Sequence, residues 1–378
     1  MPKRVLIHDD GKFTDRTGVY RLRTPLYEHH LRAGAKCIDF GGWDMPVQYE
    51  GILIEHEHTR KKAGIFDIGH MGEFLLKGAG AAAMLDRVVT SRPSTLAVGR
   101  CRYGLMLNDA GAVIDDTIIY RLSQDEFMVV VNAGTCGKDL QHLQNLCPKS
   151  VVLSDISAQT GKIDIQGPLS FRIVKDIMGL DVTDLKYFGF RSEGQWLVSR
   201  TGYTGEAGVE VYADYQHIVP LWEKLLQDVR VKPVGLGARD TLRLESGYAL
   251  YGHELDESTP ALYCGVERFI DWENEFIGKL ALLKWKNNPE FSHVGFRANN
   301  KSAPRAGESL LQNGEVVGVV TSGSLSPTLG VGIGVGRIKT SVKNNGLPLH
   351  VDKGRRTLGV ELCEVPFYKG GVLGKPSL

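Results

Sequence analysis

Two adjacent carboxylates in a strand-forming segment are the side chains of this sequence best suited to acid–base chemistry. Asp115 and Asp116 lie between Val113 and Leu122, and successive side chains of a strand point to opposite faces. The alternation places Asp116 with Ile114, Ile118 and Tyr120, and Asp115 with Val113, Thr117 and Ile119. An apolar face makes a carboxylate costly to ionise, so either aspartate is a candidate acid or base. A structural aspartate at a strand edge fits the same pattern, and the choice stays open.

A second candidate is the glycine-rich stretch 200–211, which reads RTGYTGEAGVEV. Its three glycines recur at every third position, Gly202, Gly205 and Gly208. They allow turn conformations that side chains disfavour, and the end of the stretch alternates as a strand does. Tyr203, Glu206 and Glu210 could therefore be presented to a ligand. A glycine-rich hairpin with solvated charges is the competing interpretation.

Arg239 and Arg243 are the basic side chains placed to meet an acidic group. They lie four apart, on one face of a predicted helix, although a surface ion pair explains the spacing equally well. The preceding Gly235 and Gly237 imitate part of a dinucleotide fingerprint, but Asp240 stands where the third glycine belongs. A dinucleotide-binding fold is therefore not predicted.

The histidines do not have the spacing of a metal site. His56 and His58 are two apart, whereas a metalloprotease helix needs a spacing of four to bring both onto one face. His70 lies between two glycines and is either a ligand contact or a satisfied turn histidine. No metal site is predicted.

Local patterns predict the elements that must position these side chains. Helices are expected from Thr24, as N-cap, to Gly34, over Leu53–Ala63, Ala79–Val89 and His217–Val229, and from Asp240 to Ser246. Strands are expected over Ile65–Ile68, Glu73–Leu76, Arg102–Leu107, Val113–Leu122, Phe127–Val131 and Lys162–Ile165. The turn Asn108–Gly111 predicts a β-hairpin. From Phe291 onward, short strands alternate with turn residues as in sandwiches and barrels, and Gly330–Gly336 predicts a strand with close backbone packing.

The length and composition of the chain limit which classes of protein are possible. At 378 residues the chain is expected to hold two or three domains. A net charge of +1, with scattered basic residues, argues against nucleic acid or a membrane surface as partner. Six cysteines without close pairs favour a reducing compartment. We expect a cytoplasmic protein if the source is a bacterium or archaeon, and the mature form of a mitochondrial matrix protein fits the same composition.

Motifs along most of the chain resemble one family, the aminomethyltransferases of the glycine cleavage system, or T-proteins. The resemblance is carried by residues 23–26 (RTPL), 40–49 (FGGWDMPVQY), 66–73 (FDIGHMGE), 115–116 (DD), 166–168 (QGP), 200–210, 235–240 (GLGARD), 276–279 (FIGK), 321–323 (TSG), 326–329 (SPTL) and 366–368 (PFY). Collinear motifs over roughly residues 23–369 are far more specific than any one of them. The chain is therefore identified as a member of this family.

The resemblance implies an α+β fold of three domains in a cloverleaf-like arrangement around a tetrahydrofolate site. On this basis, residues 1–20 are expected to be an irregular leader. Residues 21–280 would hold two interleaved α/β domains that bind folate, and residues 281–378 a C-terminal antiparallel β-barrel.

The implied reaction takes an aminomethyl group from the lipoyl arm of a partner, the H-protein. The carbon passes to tetrahydrofolate as methylene, ammonia leaves, and dihydrolipoyl H-protein remains. The P- and L-proteins of the same pathway are implied as further partners. Tetrahydrofolate is a cosubstrate, and no metal, nucleic acid or membrane is implied.

The family's folate-binding positions carry over onto residues of the expected types, Tyr103, Asp116, Tyr120, Asn132, Tyr203, Glu210 and Arg239. The resemblance selects Asp116 over Asp115 as the key catalytic carboxylate, and Glu210 over Glu206. It further suggests that Glu210 binds the pterin edge in paired fashion and that Arg239 orients it.

Two other classes compete with this interpretation. A folate-dependent demethylase or related one-carbon transferase would use the same pocket with a small methylated donor. A folate-binding scaffold of iron–sulfur assembly would carry a cysteine motif near residues 276–279, and those residues read FIGK. Ammonia release from aminomethylated H-protein distinguishes the favoured function from both.

Overall fold

A computed structural model describes residues 13–14 and 20–372. The irregular leader expected over residues 1–20 lies outside the described residues, apart from strand β1 (Phe13–Thr14) and the first residue of β2 (Tyr20–Arg21), which pair with each other. The helices of the described part are α1 (Tyr27–Arg32), α2 (Ile52–Lys61), α3 (Ala81–Val88), α4 (Cys136–Leu146), α5 (Ser170–Met178), α6 (Tyr215–Leu226), α7 (Leu236–Glu245) and α8 (Lys279–Asn287). A further strand pair joins β3 (Lys36–Phe40) and β4 (Trp43–Gln48).

An antiparallel five-stranded sheet carries the paired aspartates. Its strand order is β10 (Val152–Asp155), β6 (Gly72–Lys77), β9 (Glu126–Val131), β8 (Val113–Ser123) and β7 (Arg100–Leu107). The predicted hairpin joins β7 to β8: Asn108 Oδ1 accepts hydrogen bonds from the amides of Ala110 and Ala112, and Gly111 has a φ of +80°. Helices α3 and α4 cover one face, where Phe74, Leu85 and Leu143 are completely buried.

A six-stranded sheet carries the glycine-rich stretch. Its strand order is β12 (Phe190–Glu193), β13 (Trp196–Ser199), β14 (Gly208–Asp214), β11 (Thr160–Gln166), β5 (Ala63–Asp67) and β15 (Val231–Pro233). Only the pairing of β15 with β5 is parallel. Trp222 of α6 packs on Ile163 and Val211 in the core beneath this sheet. Because β5 precedes the whole five-stranded sheet in sequence and β11 follows it, the two sheets are interleaved along the chain.

The C-terminal strands close into a six-stranded antiparallel barrel. Its order is β16 (Phe291–Ala298), β19 (Gly332–Lys339), β18 (Glu315–Leu325), β17 (Ser309–Gln312), β20 (Leu349–Asp352) and β21 (Thr357–Cys363). Ile333 and Val335 pack on Leu244, which attaches the barrel to α7. The predicted close packing of the glycine face is confirmed, since a Cβ on Gly334 would lie 2.6 Å from the Phe296 ring. The α+β class with a C-terminal barrel is confirmed, while the three domain boundaries stay predictions.

Helix α7 begins earlier than predicted, at Leu236 rather than after Asp240. The glycines of this segment serve packing: a Cβ on Gly235 would lie 2.4 Å from the Val47 carbonyl carbon, and one on Gly237 2.6 Å from Ile52. The helix therefore seats closely against β4 and α2. This contact fixes the position of Arg239, one turn further along.

Three other helices differ from their predicted bounds. Thr24 is not the N-cap of α1, because the helix starts at Tyr27 with Leu26 as its N-cap; the Thr24 hydroxyl donates to Asp67 Oδ2 at 2.5 Å. Helix α2 ends at Lys61, since Ala63 is already paired with β15. Helix α6 runs from Tyr215 to Leu226, two residues earlier at its start and three at its end than predicted.

A β-bulge alters the predicted faces of β8. Met106 pairs with Asp115 and Leu107 with Val113, so Ile114 is the extra residue. Ile114 consequently packs with Ile119 under α3 and α4 rather than on the side of Asp116. No helix among the described residues is long and apolar enough to cross a membrane.

Candidate functional site

Asp116 is held from both sides by neutral donors. The Tyr103 hydroxyl donates to its Oδ2 at 2.9 Å, and the Asn132 amide donates to its Oδ1 at 2.8 Å. Burial, reinforced by the neighbouring Asp115 charge, raises the pKa of Asp116 to about 7. A carboxyl group with this pKa can accept and release a proton near neutral pH.

The structure decides which of the two aspartates is the candidate acid or base, a choice that the strand alternation left open. Asp115 is completely buried, and its two oxygens accept from the Asn132 backbone amide at 3.0 Å and side-chain amide at 2.8 Å. Asp116 is partly exposed and points to the other side of the sheet. Only Asp116 can meet a ligand directly.

Glu210 lies at the centre of a buried hydrogen-bond network on β14. Its Oε2 accepts from Thr201 at 2.9 Å, Tyr212 at 3.1 Å and Tyr120 at 3.4 Å. Burial opposes ionisation, but Lys162, with Nζ 3.8 Å from Oε2, and the Thr201 hydrogen bond outweigh it and hold the pKa of Glu210 below its ordinary value.

The second oxygen of Glu210 is the one open to a ligand. All hydrogen bonds that Glu210 receives from the described residues end on Oε2. Paired binding through both oxygens, as the resemblance suggested, would have to compete with three hydroxyl groups. A donor on a ligand therefore fits best against Oε1.

Tyr120 is completely buried and joins the two sheets. Its hydroxyl lies 2.9 Å from the Tyr212 hydroxyl and 3.2 Å from the Ser199 hydroxyl. The ring packs edge-on against Phe190 at 5.2 Å. The structure therefore puts Tyr120 behind Glu210, where it supports that carboxylate.

Arg239 and Tyr203 form a second wall. The guanidinium lies 4.9 Å from the centre of the Tyr203 ring, within cation–π range. Tyr203 also stacks on Tyr248 at 5.8 Å, and its hydroxyl donates to the Ala249 carbonyl. Arg239 does not contact Glu210; its Nη1 donates to Asp164 Oδ2 at 2.8 Å.

Asp164 keeps an unused oxygen beside this wall. Its Oδ1 is buried without a hydrogen-bond partner among the described residues. Burial raises the pKa of Asp164 to about 7, although the Arg239 ion pair opposes the shift. Because this oxygen is buried, a ligand cannot reach it directly, and Glu210 Oε1 on the neighbouring strand is the acceptor left for a ligand.

Tyr103 connects the Asp116 group to a neighbouring cavity. The Asp116 charge raises the pKa of Tyr203, after the larger effect of burial, so the two side chains are within electrostatic range. A cavity of about 460 Å³ borders the site, lined in part by Tyr103, Phe269 and Tyr187. The Tyr103 and Phe269 rings are 4.5 Å apart. Such a pocket suits an aromatic ligand with polar edges.

His70 lies at the edge of the same region. Its Nδ1 is buried and has no hydrogen-bond partner among the described residues, so a fully satisfied turn histidine is the wrong interpretation. Phe40 packs edge-on against the ring at 5.5 Å. Burial lowers the pKa of His70 to about 4, so the ring is neutral near pH 7.

Three other residues that the sequence suggested as ligand or metal contacts lie outside this site. Glu206 is buried in an ion pair with Arg60 at 3.0 Å. His56 hydrogen-bonds to Thr241 at 2.8 Å, and His58 bonds separately to a backbone carbonyl. The described residues contain no group of three or more side chains that could hold a metal ion.

Sequence reasoning missed several residues that shape the site, namely Lys162, Asp164, Thr201, Ser199 and Tyr212. The alternation of β11 would have aligned Lys162 with Asp164, and that of β14 would have aligned Glu210 with Tyr212. No local signal pairs the two strands, so their meeting required the sheet. A buried lysine beside a carboxylate is a usual mark of a functional or structural ion pair.

Comparison with known proteins agrees with this architecture. Residues 26–274 match the family model described as the GCVT N-terminal domain, and residues 292–369 match the glycine cleavage T-protein C-terminal barrel domain. The two matches define a class of protein in which a GCVT N-terminal domain precedes a C-terminal barrel domain.

Individual relatives give the same assignment over nearly the whole chain. The aminomethyltransferase of Halothermothrix orenii is 39% identical over 354 residues, covering 91% of this chain and 99% of that protein. That of Chlorobium luteolum is 42% identical over 360 residues, covering 92% and 98%. The solved glycine cleavage system aminomethyltransferase T of Bartonella henselae superposes with a TM-score of 0.87 at 32% identity, covering 92% and 98%. The chain belongs to the glycine cleavage T-protein family, the aminomethyltransferases.

Proposed function

We propose that this enzyme transfers the aminomethyl carbon of a lipoylated H-protein to tetrahydrofolate. The products are methylenetetrahydrofolate, ammonia and dihydrolipoyl H-protein. The observation that supports the proposal is Asp116, a carboxyl group with a raised pKa that Tyr103 and Asn132 hold in place. A demethylase acting on a small methylated donor is not favoured by the aminomethyltransferase relatives.

The balance of the reaction defines what the protein must do. The methylene carbon forms two bonds to folate nitrogens and loses its bonds to sulfur and to the amine nitrogen. Each folate nitrogen gives up one proton, and these two protons are taken up by the leaving amine and the leaving sulfur. A single well-placed group that accepts and returns a proton serves this exchange.

Asp116 suits that role. Its raised pKa, about 7, lets it accept and release a proton near neutral pH. Tyr103 and Asn132 fix both oxygens, so the carboxyl group cannot turn away from the reacting nitrogens. When ionised it also stabilises positive charge that develops on the transferred carbon and nitrogen.

The described residues fit a pterin ring on the other wall. Glu210 Oε1 receives no hydrogen bond from the described residues, and a reduced pterin offers several N–H donors along one edge. Lys162 keeps Glu210 ionised, which strengthens such hydrogen bonds. Tyr203 and Arg239 supply ring contact and a donor for a carbonyl oxygen.

Tyr120 has a supporting part in this proposal. As it is completely buried behind Glu210, it holds the carboxylate rather than touching folate itself. Tyr103 combines two functions, because its ring borders the cavity and its hydroxyl holds Asp116. The H-protein brings the carbon donor, and the P- and L-proteins act before and after this step in the same pathway.

A donor comparison tests the proposed function. The purified enzyme is incubated with tetrahydrofolate and either aminomethylated H-protein or a small N-methyl amine, and methylenetetrahydrofolate is measured. We expect product only with the H-protein donor, and a strong loss in Glu210→Gln, with Glu206→Gln as a matched control outside the pocket. Product from the small amine, with none from the H-protein donor, would replace this proposal by the demethylase function.

A further inference from the structure

Arg243 is a basic side chain to which the proposed function gives no role. Its sequence position puts it on one helical face with Arg239, as a side chain able to meet an acidic group. In the structure it lies in α7 and is only 1% exposed, so it does not face a ligand directly. A buried guanidinium needs partners for its N–H groups, because an unpaired buried charge is costly. The partners of Arg243 therefore indicate what it does.

The Arg243 guanidinium connects α7 to two other parts of the chain. Its Nη1 donates to Glu254 Oε2 at 2.9 Å and to the Tyr248 carbonyl at 3.0 Å, both in the segment that follows α7. Its Nη2 donates to the Ser322 hydroxyl of barrel strand β18 at 2.7 Å. The remaining contact, from Nε to Asp240 at 2.8 Å, stays within the helix. Arg243 thus holds the segment after α7 and the barrel together.

Glu254 forms a buried ion pair with Arg243. It is 2% exposed, and burial opposes its ionisation, but the Arg243 charge is the largest opposing effect and the pKa of Glu254 stays below its ordinary value. The same Oε2 accepts from the Leu250 amide at 3.1 Å. The pair therefore fixes residues 248–250 at both ends, through the carbonyl of Tyr248 and the amide of Leu250.

Residues 248–250 are the segment against which Tyr203 lies. The Tyr203 hydroxyl donates to the Ala249 carbonyl, and its ring stacks on Tyr248 with a centroid distance of 5.8 Å and an interplanar angle of 17°. The Arg239 guanidinium lies 4.9 Å from the centre of the same ring. Both residues that hold Tyr203 in the segment are thus fixed in turn by the ion pair of Arg243.

We propose that Arg243 is a positioning residue for tetrahydrofolate binding: with Glu254 it fixes residues 248–250, and these fix the Tyr203 ring that meets the ligand. Through Ser322 the barrel takes part in holding this wall of the site. No covalent bond changes at the ion pair. The inference rests on the proposed function only for the identity of the ligand.

An affinity measurement separates positioning from catalysis. Arg243→Lys keeps the charge but cannot bond to all partners of the planar guanidinium at once. We expect Kd and KM for tetrahydrofolate to rise about tenfold, within the range of coupling between neighbouring residues. The kcat should stay nearly unchanged, because the contacts of Asp116 are intact. Arg230→Lys makes the same change at a guanidinium bound to Asp176 and Asp228, outside the site, and should leave Kd unchanged.

A double-mutant cycle with Tyr203→Leu tests whether the effect passes through Tyr203. If it does, Arg243→Lys should change Kd by less than about twofold once Tyr203 is replaced. A full tenfold effect in that background would overturn the proposal, as would a fall in kcat with Kd unchanged. Glu254→Gln keeps the arginine and removes only the charge of its partner. It should raise Kd by a smaller factor, and an unchanged Kd in this variant would contradict the proposal even if Arg243→Lys does not fold.

Amide hydrogen exchange tests the structural part of the proposal without any ligand. In the ligand-free protein, Arg243→Lys should raise exchange over residues 248–250 and 201–205, while the β7–β8 hairpin keeps the wild-type rates. Equal exchange of the two proteins over residues 248–250 would overturn the proposal. If exchange rises as expected but the wild-type protein does not bind tetrahydrofolate, the proposed function fails while the fixing of this segment by Arg243 stands.

Discussion

Replacing Asp116 by asparagine removes the proposed proton acceptor while keeping its shape. An amide offers one acceptor oxygen where the carboxylate has two, so one of the hydrogen bonds from Tyr103 and Asn132 is lost. That loss costs about 1 kcal/mol. Relief of the repulsion from Asp115 offsets part of it. We therefore expect the free energy of unfolding to change by about 1 kcal/mol or less.

The effect on turnover should be larger than the effect on stability. Loss of a general acid–base group costs at least ~100-fold in rate. This corresponds to about 2.7 kcal/mol of transition-state stabilisation. Folate affinity should stay nearly unchanged, because the pterin contacts assigned to Glu210 and Arg239 are on the other wall.

The assay follows methylenetetrahydrofolate formation with saturating substrates, together with folate affinity by titration calorimetry and stability by urea unfolding. Asp109→Asn, an exposed aspartate at the turn of the same hairpin, is the matched control. Near-normal turnover in Asp116→Asn would refute the role of this carboxyl group. A parallel loss of folate affinity and turnover would show that Asp116 acts in binding.

Three further outcomes are expected. First, kcat/KM should fall as the pH is lowered through about 7, since Asp116, with its pKa raised to about 7, is protonated below that pH. The Asp116→Asn variant should lack this fall on the acid side of the pH profile. Second, Lys162→Met leaves a buried carboxylate unpaired and should lower the unfolding free energy by about 3 kcal/mol. Lys61→Met, which breaks an exposed pair, should leave the unfolding free energy nearly unchanged. Third, Gly235→Ala should lower the unfolding free energy by about 1–3 kcal/mol, because the new Cβ lies 2.4 Å from backbone atoms of β4. Gly137→Ala, whose Cβ would lie in open space within α4, should raise the unfolding free energy by about 0.5–1 kcal/mol.

A specific result would contradict each of these three predictions. An acid limb that survives in Asp116→Asn assigns it to another group, with Asp164 the first to test. Equal effects of the two lysine substitutions in urea unfolding would mean that Lys162 does not hold Glu210 ionised. Equal effects of the two glycine substitutions would mean that α7 can move away from β4.

The parts of the fold that follow from local signals were predictable. The hairpin around Asn108–Gly111 depends on a turn composition, and the barrel depends on short alternating strands with glycine on one face. The family resemblance added the interleaving of the two sheets, which composition and periodicity could not give. The bulge at Ile114 has no local signal, and it changed which side chains share a face with Asp116.

The sequence predicted the residues of the site only where a single segment of the chain contains the signal. Tyr103 and Asp116 lie on the neighbouring strands β7 and β8, Asn132 directly follows β9, and both Tyr103 and Asn132 donate to Asp116. Lys162 was missed because its partner lies 48 residues away along the chain, on the next strand. Arg239 was expected at Glu210 but pairs with Asp164, since the close seating of α7 directs its side chain there.

Asp139 shows the limit of reading one sequence most clearly. It lies in the first turns of an amphipathic helix, where an aspartate is ordinary. Only the tertiary packing of α4 reveals that Asp139 is completely buried, with neither oxygen hydrogen-bonded to the described residues.

The most direct test of the central claim is a single-turnover experiment. Limiting aminomethylated H-protein is mixed with excess enzyme and tetrahydrofolate, and ammonia and methylenetetrahydrofolate are quantified together. We predict equal amounts of both products from the wild-type enzyme, and a rate at least ~100-fold lower from Asp116→Asn. Ammonia released without matching methylenetetrahydrofolate, or equal rates from the two proteins, would contradict this account.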